Sequence, residues 1–233
     1  MGASVDARSA RSEAAVLEGA LFAFVAGYVD TCGFIALFGL FTAHVTGNLV
    51  LIGAAIVHYQ GGVLAKLLAI PVFIVTVAVA RCLTIVLQDR RKNAALPLLA
   101  AQILLLAAFL ASGVAIAPVT DADTPRAILT GMLAVAAMGF QNAASRTVFS
   151  MHTPTTVMTG NVTQAVIDIV DMSLDRSTPE ARTRIRKMAP AILVFTGGAL
   201  IGALAYAQVG FWCLAVPIGV LVYPFFKELG RAA

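Results

Sequence analysis

Read for its apolar and polar positions alone, the chain is a series of long greasy runs cut by short polar breaks. Charge-free stretches cover residues 31–65, 93–120, 127–145, 147–167 and 189–226. The breaks fall at YQGG (59–62), QDRRKN (88–93), TDADTP (120–125), SMHTP (150–154), the polar stretch 173–188 and AQVG (207–210). Gly and Pro, which interrupt regular helix, punctuate most of them. Cutting there leaves eight pieces, roughly 17–40, 41–60, 64–88, 94–118, 126–150, 154–172, 189–207 and 210–226. A helix needs about 20 apolar residues to cross a hydrocarbon core. The pattern therefore predicts an all-α polytopic membrane protein: one membrane domain over 17–226, with polar tails at 1–16 and 227–233.

Composition sharpens this. Sixty per cent of residues are hydrophobic and 12% are charged, against about 25% charged in an ordinary soluble domain. Of the 28 charged side chains, 24 sit in five clusters, at 6–18, 89–92, 121–126, 168–187 and 227–231. Asp30, Lys66, Arg81 and Arg146 stand outside them. Such short flanking basic segments mark cytoplasmic loops, and the net charge of +4 is no nucleic-acid footprint. The polar N-terminus lacks the short apolar core and cleavage site of a removable signal peptide. Cys32, Cys82 and Cys213 have no metal-ligand spacing and read as small packing residues, not as disulfides.

The same charges count the crossings. If all eight pieces cross, Arg90, Arg91 and Lys92 fall on the opposite side from Arg182, Arg184, Arg186 and Lys187. If the second and sixth pieces do not fully cross, both basic loops and both termini are cytoplasmic. Thirteen Lys/Arg then face inward or flank inner ends, and only Lys66 and Arg126 lie by outer ends. The positive-inside rule favours about six transmembrane helices plus two shorter or re-entrant segments. Three spans per half make the second half enter from the opposite side, so the halves 17–118 and 126–226 are expected to be inverted repeats. The alternative is two parallel four-helix units.

The two short pieces carry the repeat. FTAHVTGN (41–48) and PTTVMTGN (154–161) end on the same Thr-Gly-Asn, 113 residues apart. Aligning them pairs Thr42 with Thr155, Ala43 with Thr156, Thr46 with Thr159, Gly47 with Gly160 and Asn48 with Asn161. Upstream, with a one-residue gap, GYVDTCGF (27–34) meets GFQNAASR (139–146), which sets Asp30 opposite Asn142.

These paired motifs, GYVDTCGFIALFGLFTAHVTGN in the first half and GFQNAASRTVFSMHTPTTVMTGN in the second, resemble the YoaK family of bacterial inner-membrane proteins over essentially the whole chain. The resemblance implies a six-span protein of the bacterial cytoplasmic (inner) membrane with no catalytic residues or cofactor to carry over.

The motif residues have chemistry of their own. Glycine within a membrane helix permits a break or close backbone approach. The neighbouring Thr and Asn can bond the freed backbone groups or face a ligand. A half-helix end pointing inward offers about half a unit of charge to an ion or polar solute. Otherwise the motif only glues helices together. Asp30 lies near the centre of the first predicted span, where a carboxylate costs about 2.5–3.5 kcal/mol on insertion scales. It is a candidate for coupling to a proton or cation, or for anchoring a polar ligand; otherwise it bonds a neighbour such as Asn142 or Thr31. Asn161, Gln164, Asp168 and Asp171 share one helix face, with Asp168 and Asp171 read as solvated at the interface. Arg81 and Arg146 are expected to snorkel. His44, His58 and His152 show no metal spacing. Gly198 and Gly202 form a GxxxG that suits close helix contact, within one chain or in a homo-oligomer.

Substrate-pathway candidates are therefore Asp30, Thr46, Gly47, Asn48, Asn142, Thr159, Gly160, Asn161 and Gln164. The leading reading is a transporter or permease for a small polar solute or ion, embedded in the lipid bilayer. No GxxxxGK[ST] motif is present to couple it to ATP. A non-transporting scaffold or sensor is the alternative. An intramembrane enzyme would have only Asp30, Cys32 and His44 near the motif, with no spacing that asks for catalysis. A transporter needs water to reach Asp30 and Asn48 or Asn161, whereas a scaffold buries them dry and mutually bonded.

Overall fold

The structure is a computed structural model that describes residues 2–58, 61–150, 157–176 and 178–232. Among these residues the chain forms eight α-helices and no strand. They are α1 (Gly2–Ala36), α2 (Gly47–His58), α3 (Val63–Asp89), α4 (Ala95–Ile116), α5 (Pro125–Arg146), α6 (Met158–Ser173), α7 (Pro179–Val209) and α8 (Ala215–Ala232). A 3-10 turn, Gly210–Leu214, joins the last two. The polar tail read over 1–16 is, from Gly2 onward, a continuation of α1.

Local chemistry sets several ends. The Thr124 hydroxyl accepts the Ala127 N–H at 3.2 Å with Pro125 in the first turn, and Thr178 caps Ala181 in the same way before Pro179. A threonine N-cap satisfies an otherwise orphaned donor, and proline at the first position loses none. Gly62, at φ 80°, turns the chain into α3.

Five helical stretches are long and apolar enough to cross a membrane: Ala14–Ala36, Val63–Asp89, Ala95–Ile116, Pro125–Arg146 and Pro179–Arg231, the last holding α7, the turn and α8. With 12 and 16 residues, α2 and α6 fall short of the roughly 20 that a crossing needs. Leu104, Leu193, Leu204 and Ile56 point outward and are about 70% exposed. A lipid surround makes such surface favourable.

α1 and α5 form the centre. Sixty-seven and 61% of their apolar windows are buried, against 28% for α3 and for α4. Each packs along a helix of the other half. On the α1–α7 seam a β-carbon at Gly27 would sit 2.2 Å from the Phe195 carbonyl oxygen, and one at Gly198 would sit 2.4 Å from that of Phe24. Gly202 faces Tyr28 in the same manner, so the two backbones touch and run parallel. The GxxxG of α7 is thus spent inside the chain. On the α3–α5 seam Gly139 faces Thr76, and Gly62 N–H donates to the Asp123 carboxylate at 3.0 Å, so this pair is also parallel.

Polar contacts mark the two ends of the bundle. Asp123 and Gly62 meet at one. At the other, Lys227 pairs with Glu18, Arg231 with Glu228, and the Asn93 amide donates to Glu228 at 3.0 Å.

Candidate functional site

The first Thr-Gly-Asn segment is a helix break folded back onto α1. After Ala36 the chain turns through two left-handed residues, Phe38 and Gly39. Lys66 fixes this turn, its buried ammonium donating to the Phe38 carbonyl at 2.8 Å and to that of Gly62 at 3.3 Å. Residues 40–46 then descend alongside α1, Thr42 lying against Gly33, and α2 leads away from Gly47.

Two side chains hold that loop. Asp30 Oδ1 accepts the backbone N–H of Thr42 at 2.7 Å, the N–H of Ala43 at 2.8 Å and the Thr42 hydroxyl at 3.3 Å. Successive N–H groups converging in this way make a cradle for an anion. Asn48 grips one residue twice, its Oδ1 accepting Phe41 N–H at 2.9 Å and its Nδ2 donating to Phe41 C=O at 2.8 Å. An amide offers an acceptor and a donor side by side, which suits the Asn of the signature to this double contact. Asp30 is 5% exposed and Asn48 fully buried; Thr46 is exposed and Gly47 half-buried.

The partners of Asp30 are thus groups of the loop, in place of the Asn142 or Thr31 expected from the sequence. Asp30 lies within the apolar span Ala14–Ala36, six residues short of its end, about 9 Å along the axis. Its second oxygen has a partner that sequence reasoning did not pair with it. His44 Nδ1 lies 2.7 Å from Asp30 Oδ2, and the ring meets Phe195 of α7 edge-on at 5.4 Å. The His44 side chain is 29% exposed, the Asp30 side chain 6%. A carboxyl and an imidazole at this distance form a hydrogen-bonded pair. Asp30 and His44 are 14 positions apart, and a helix break brings them together.

The second segment is built differently. Residues 151–156, with Thr155, Thr156 and His152, lie outside the described residues, as does the side chain of His58. Thr159 and Gly160 open α6, both exposed, while Asn161 is 4% exposed. Asn142, opposite Asp30 in the alignment, is half-buried, and its amide donates to the Met138 carbonyl at 3.5 Å. The charge of this half sits on α6 itself. The Asp168 side chain is fully buried, forked by Arg184 of α7 through Nε at 3.0 Å and an Nη at 2.6 Å. Gln164 donates to it at 3.0 Å. The Arg184 hydrogen bonds hold the Asp168 carboxyl below the ordinary carboxylate range. The solvated interface position expected for Asp168 is therefore corrected, since a guanidinium takes the place of water; Asp171 is half-buried. Arg81 and Arg146 are exposed.

A buried polar link that the sequence did not suggest joins α4, α5 and α1. Gln102 of α4 donates to Gln141 of α5 at 2.6 Å, and Gln141 donates to the Phe22 carbonyl of α1 at 2.8 Å, all buried. Among the described residues, no three His, Cys, Asp or Glu side chains gather as a metal site would require.

Comparison with known proteins adds an identity to this geometry. The model of a family described as "Protein of unknown function (DUF1275)" matches residues 19–226. The chain is 30% identical over 205 residues to the UPF0700 transmembrane protein YoaK of Bacillus subtilis (strain 168), covering 87% of this chain and 88% of that protein. No solved structure matches.

Proposed function

The chain belongs to the DUF1275 family, and from that premise we propose that it is a small-solute transporter or permease, not an enzyme, in a bacterial cytoplasmic membrane. It would be driven by a proton or ion gradient, or act passively. In this reading α1, α3, α4, α5, α7 and α8 cross, while α2 and α6 re-enter. Glu18, Asn93 and Lys227 then lie at the cytoplasmic end with both termini, and Gly62 and Asp123 lie outside.

The helix pairing supports the inverted repeat. The seams α1–α7 and α5–α3 each join the first helix of one half to the helix following the break of the other. The first pair runs outward and the second inward, the relation that a two-fold axis in the membrane plane produces. Both breaks then approach the midplane, one from each side.

One observation carries the transport reading: a buried carboxylate bonded to a partly exposed histidine, at the foot of a broken helix. Ionisable groups in such places mark ion and substrate paths. A specific observation favours the other reading, a scaffold or sensor. Asp30 and Asn48 are buried and occupied in holding the loop.

The experiment that separates the two is uptake by inside-out membrane vesicles from a small-molecule cell extract, read by untargeted mass spectrometry. A transporter accumulates or loses at least one solute relative to vesicles carrying His44→Ala at equal protein level. A scaffold gives identical profiles.

A further inference from the structure

Two of the three cysteines sit together. Cys32, in the last turns of α1, has its sulfur 3.5 Å from that of Cys213 in the turn between α7 and α8. The thiols are free, and these two residues are 0 and 2% exposed. The surroundings fix the pair: the Cys32 thiol faces the Gly202 carbonyl at 3.6 Å, and the Tyr28 hydroxyl donates to the Cys213 carbonyl at 2.9 Å. Neighbouring Trp212 is 63% exposed, which sets Cys213 one residue from the surface at the rim of the bundle, where tryptophan favours the membrane interface. Cys82 lies on an exposed face of α3.

We infer that Cys32 and Cys213 are an oxidation site, at which a hydroperoxide converts the dithiol to a disulfide joining α1 to the α7–α8 turn. A disulfide needs its sulfurs about 2.05 Å apart. The sulfurs stand roughly 1.5 Å farther apart than in that bond, which is the approach that oxidation has to close. In the first step one thiol sulfur attacks the peroxide; an S–O bond forms, the O–O bond breaks and an alcohol or water leaves. In the second, the other sulfur attacks the sulfenic acid; the S–S bond forms, the S–O bond breaks and water leaves. The dithiol gives up two electrons and two protons, and the peroxide takes them. The bond ties the first helix to the last hairpin across 181 positions, and it forms whether or not the chain moves a solute.

The test uses the full chain in membranes with Cys82→Ser, so that only the pair remains. Samples are treated with hydrogen peroxide, quenched, denatured and labelled with a maleimide polymer that shifts the gel band once per free thiol. Untreated protein carries two adducts; oxidised protein is expected to carry none and to regain both after dithiothreitol. The variants with Cys32→Ser or Cys213→Ser added keep one adduct under the same mild dose. Two adducts surviving a dose that oxidises an exposed control thiol would overturn the inference. Loss of adducts that dithiothreitol does not restore, or a covalent dimer in their place, would overturn it too.

Discussion

The two helix breaks share a signature but not a charge arrangement. At the first, an acid on the long helix, Asp30, reaches out to hold the loop and leaves one oxygen for His44. At the second, the matching residue is Asn142, Val157 fills the place of His44, and the acid rides on the half-helix, clamped by Arg184. A neutralised Asp168–Arg184 fork is a fixed brace, since arginine does not release its proton. The first break carries an acid whose free oxygen meets a partly exposed imidazole. The shared signature therefore comes with two different placements of the acid, one on the long helix and one on the short one.

The sharpest way to break this comparison is Asp30→Ala. It leaves the N–H groups of Thr42 and Ala43 and the His44 ring without their acceptor. Unsatisfied buried groups cost about 1–3 kcal/mol each. We expect a loss of about 3–5 kcal/mol in thermal unfolding of the purified protein. Asp30→Asn keeps one acceptor oxygen and should lose markedly less stability while still abolishing any proton-linked transport. Equal losses for the two variants would mean that the charge, not the loop bonds, holds the break.

The glycine seams give the next contrast. A methyl at Gly27 meets backbone, which cannot yield, whereas one at Gly139 meets the Thr76 side chain at 2.9 Å. Overpacking costs typically 1–3 kcal/mol. Gly27→Ala should cost about 2–3 kcal/mol and Gly139→Ala less than about 1 kcal/mol. Matched melting temperatures for the two variants would show both seams to be equally compliant.

Much of this was legible in the sequence. The eight apolar pieces correspond to eight helices, with ends shifted by up to about six residues except where α1 runs back to Gly2 and α7 begins at Pro179; the tail read from 227 is, to Ala232, the end of α8. Both of those extensions are polar, and apolar periodicity does not register a helix that continues into water. The repeat alignment paired Asn48 with Asn161, and both are buried. It could not foresee the Asp30–His44, Asp168–Arg184 and Cys32–Cys213 pairs, because each is closed by a turn or a tertiary packing that no local period encodes. The one available signal was a polar residue on each side of a break, as at Asp30 and His44.

Asn48→Asp probes the clamp of the first break. The carboxylate still accepts Phe41 N–H but turns a second oxygen on the Phe41 carbonyl, losing a donor. A cost of about 2 kcal/mol is expected. Asn161→Asp is the companion variant; a much smaller loss there would make the loop clamp a property of the first break alone.

The smallest effect is that of pH on the second break. Arg184 holds the folded-state carboxyl of Asp168 below its ordinary value of 3.8. A depressed acid contributes stability that is fully present above its unfolded value and disappears as pH falls through the folded one. The melting-temperature difference between the wild type and Asp168→Asn should therefore be constant from pH 7 to about 5 and shrink only below about pH 4. Arg184→Ala should flatten that dependence. A difference that changed between pH 7 and 5 instead would place the titrating group elsewhere, and the brace at the second break would no longer be the inert member of the pair.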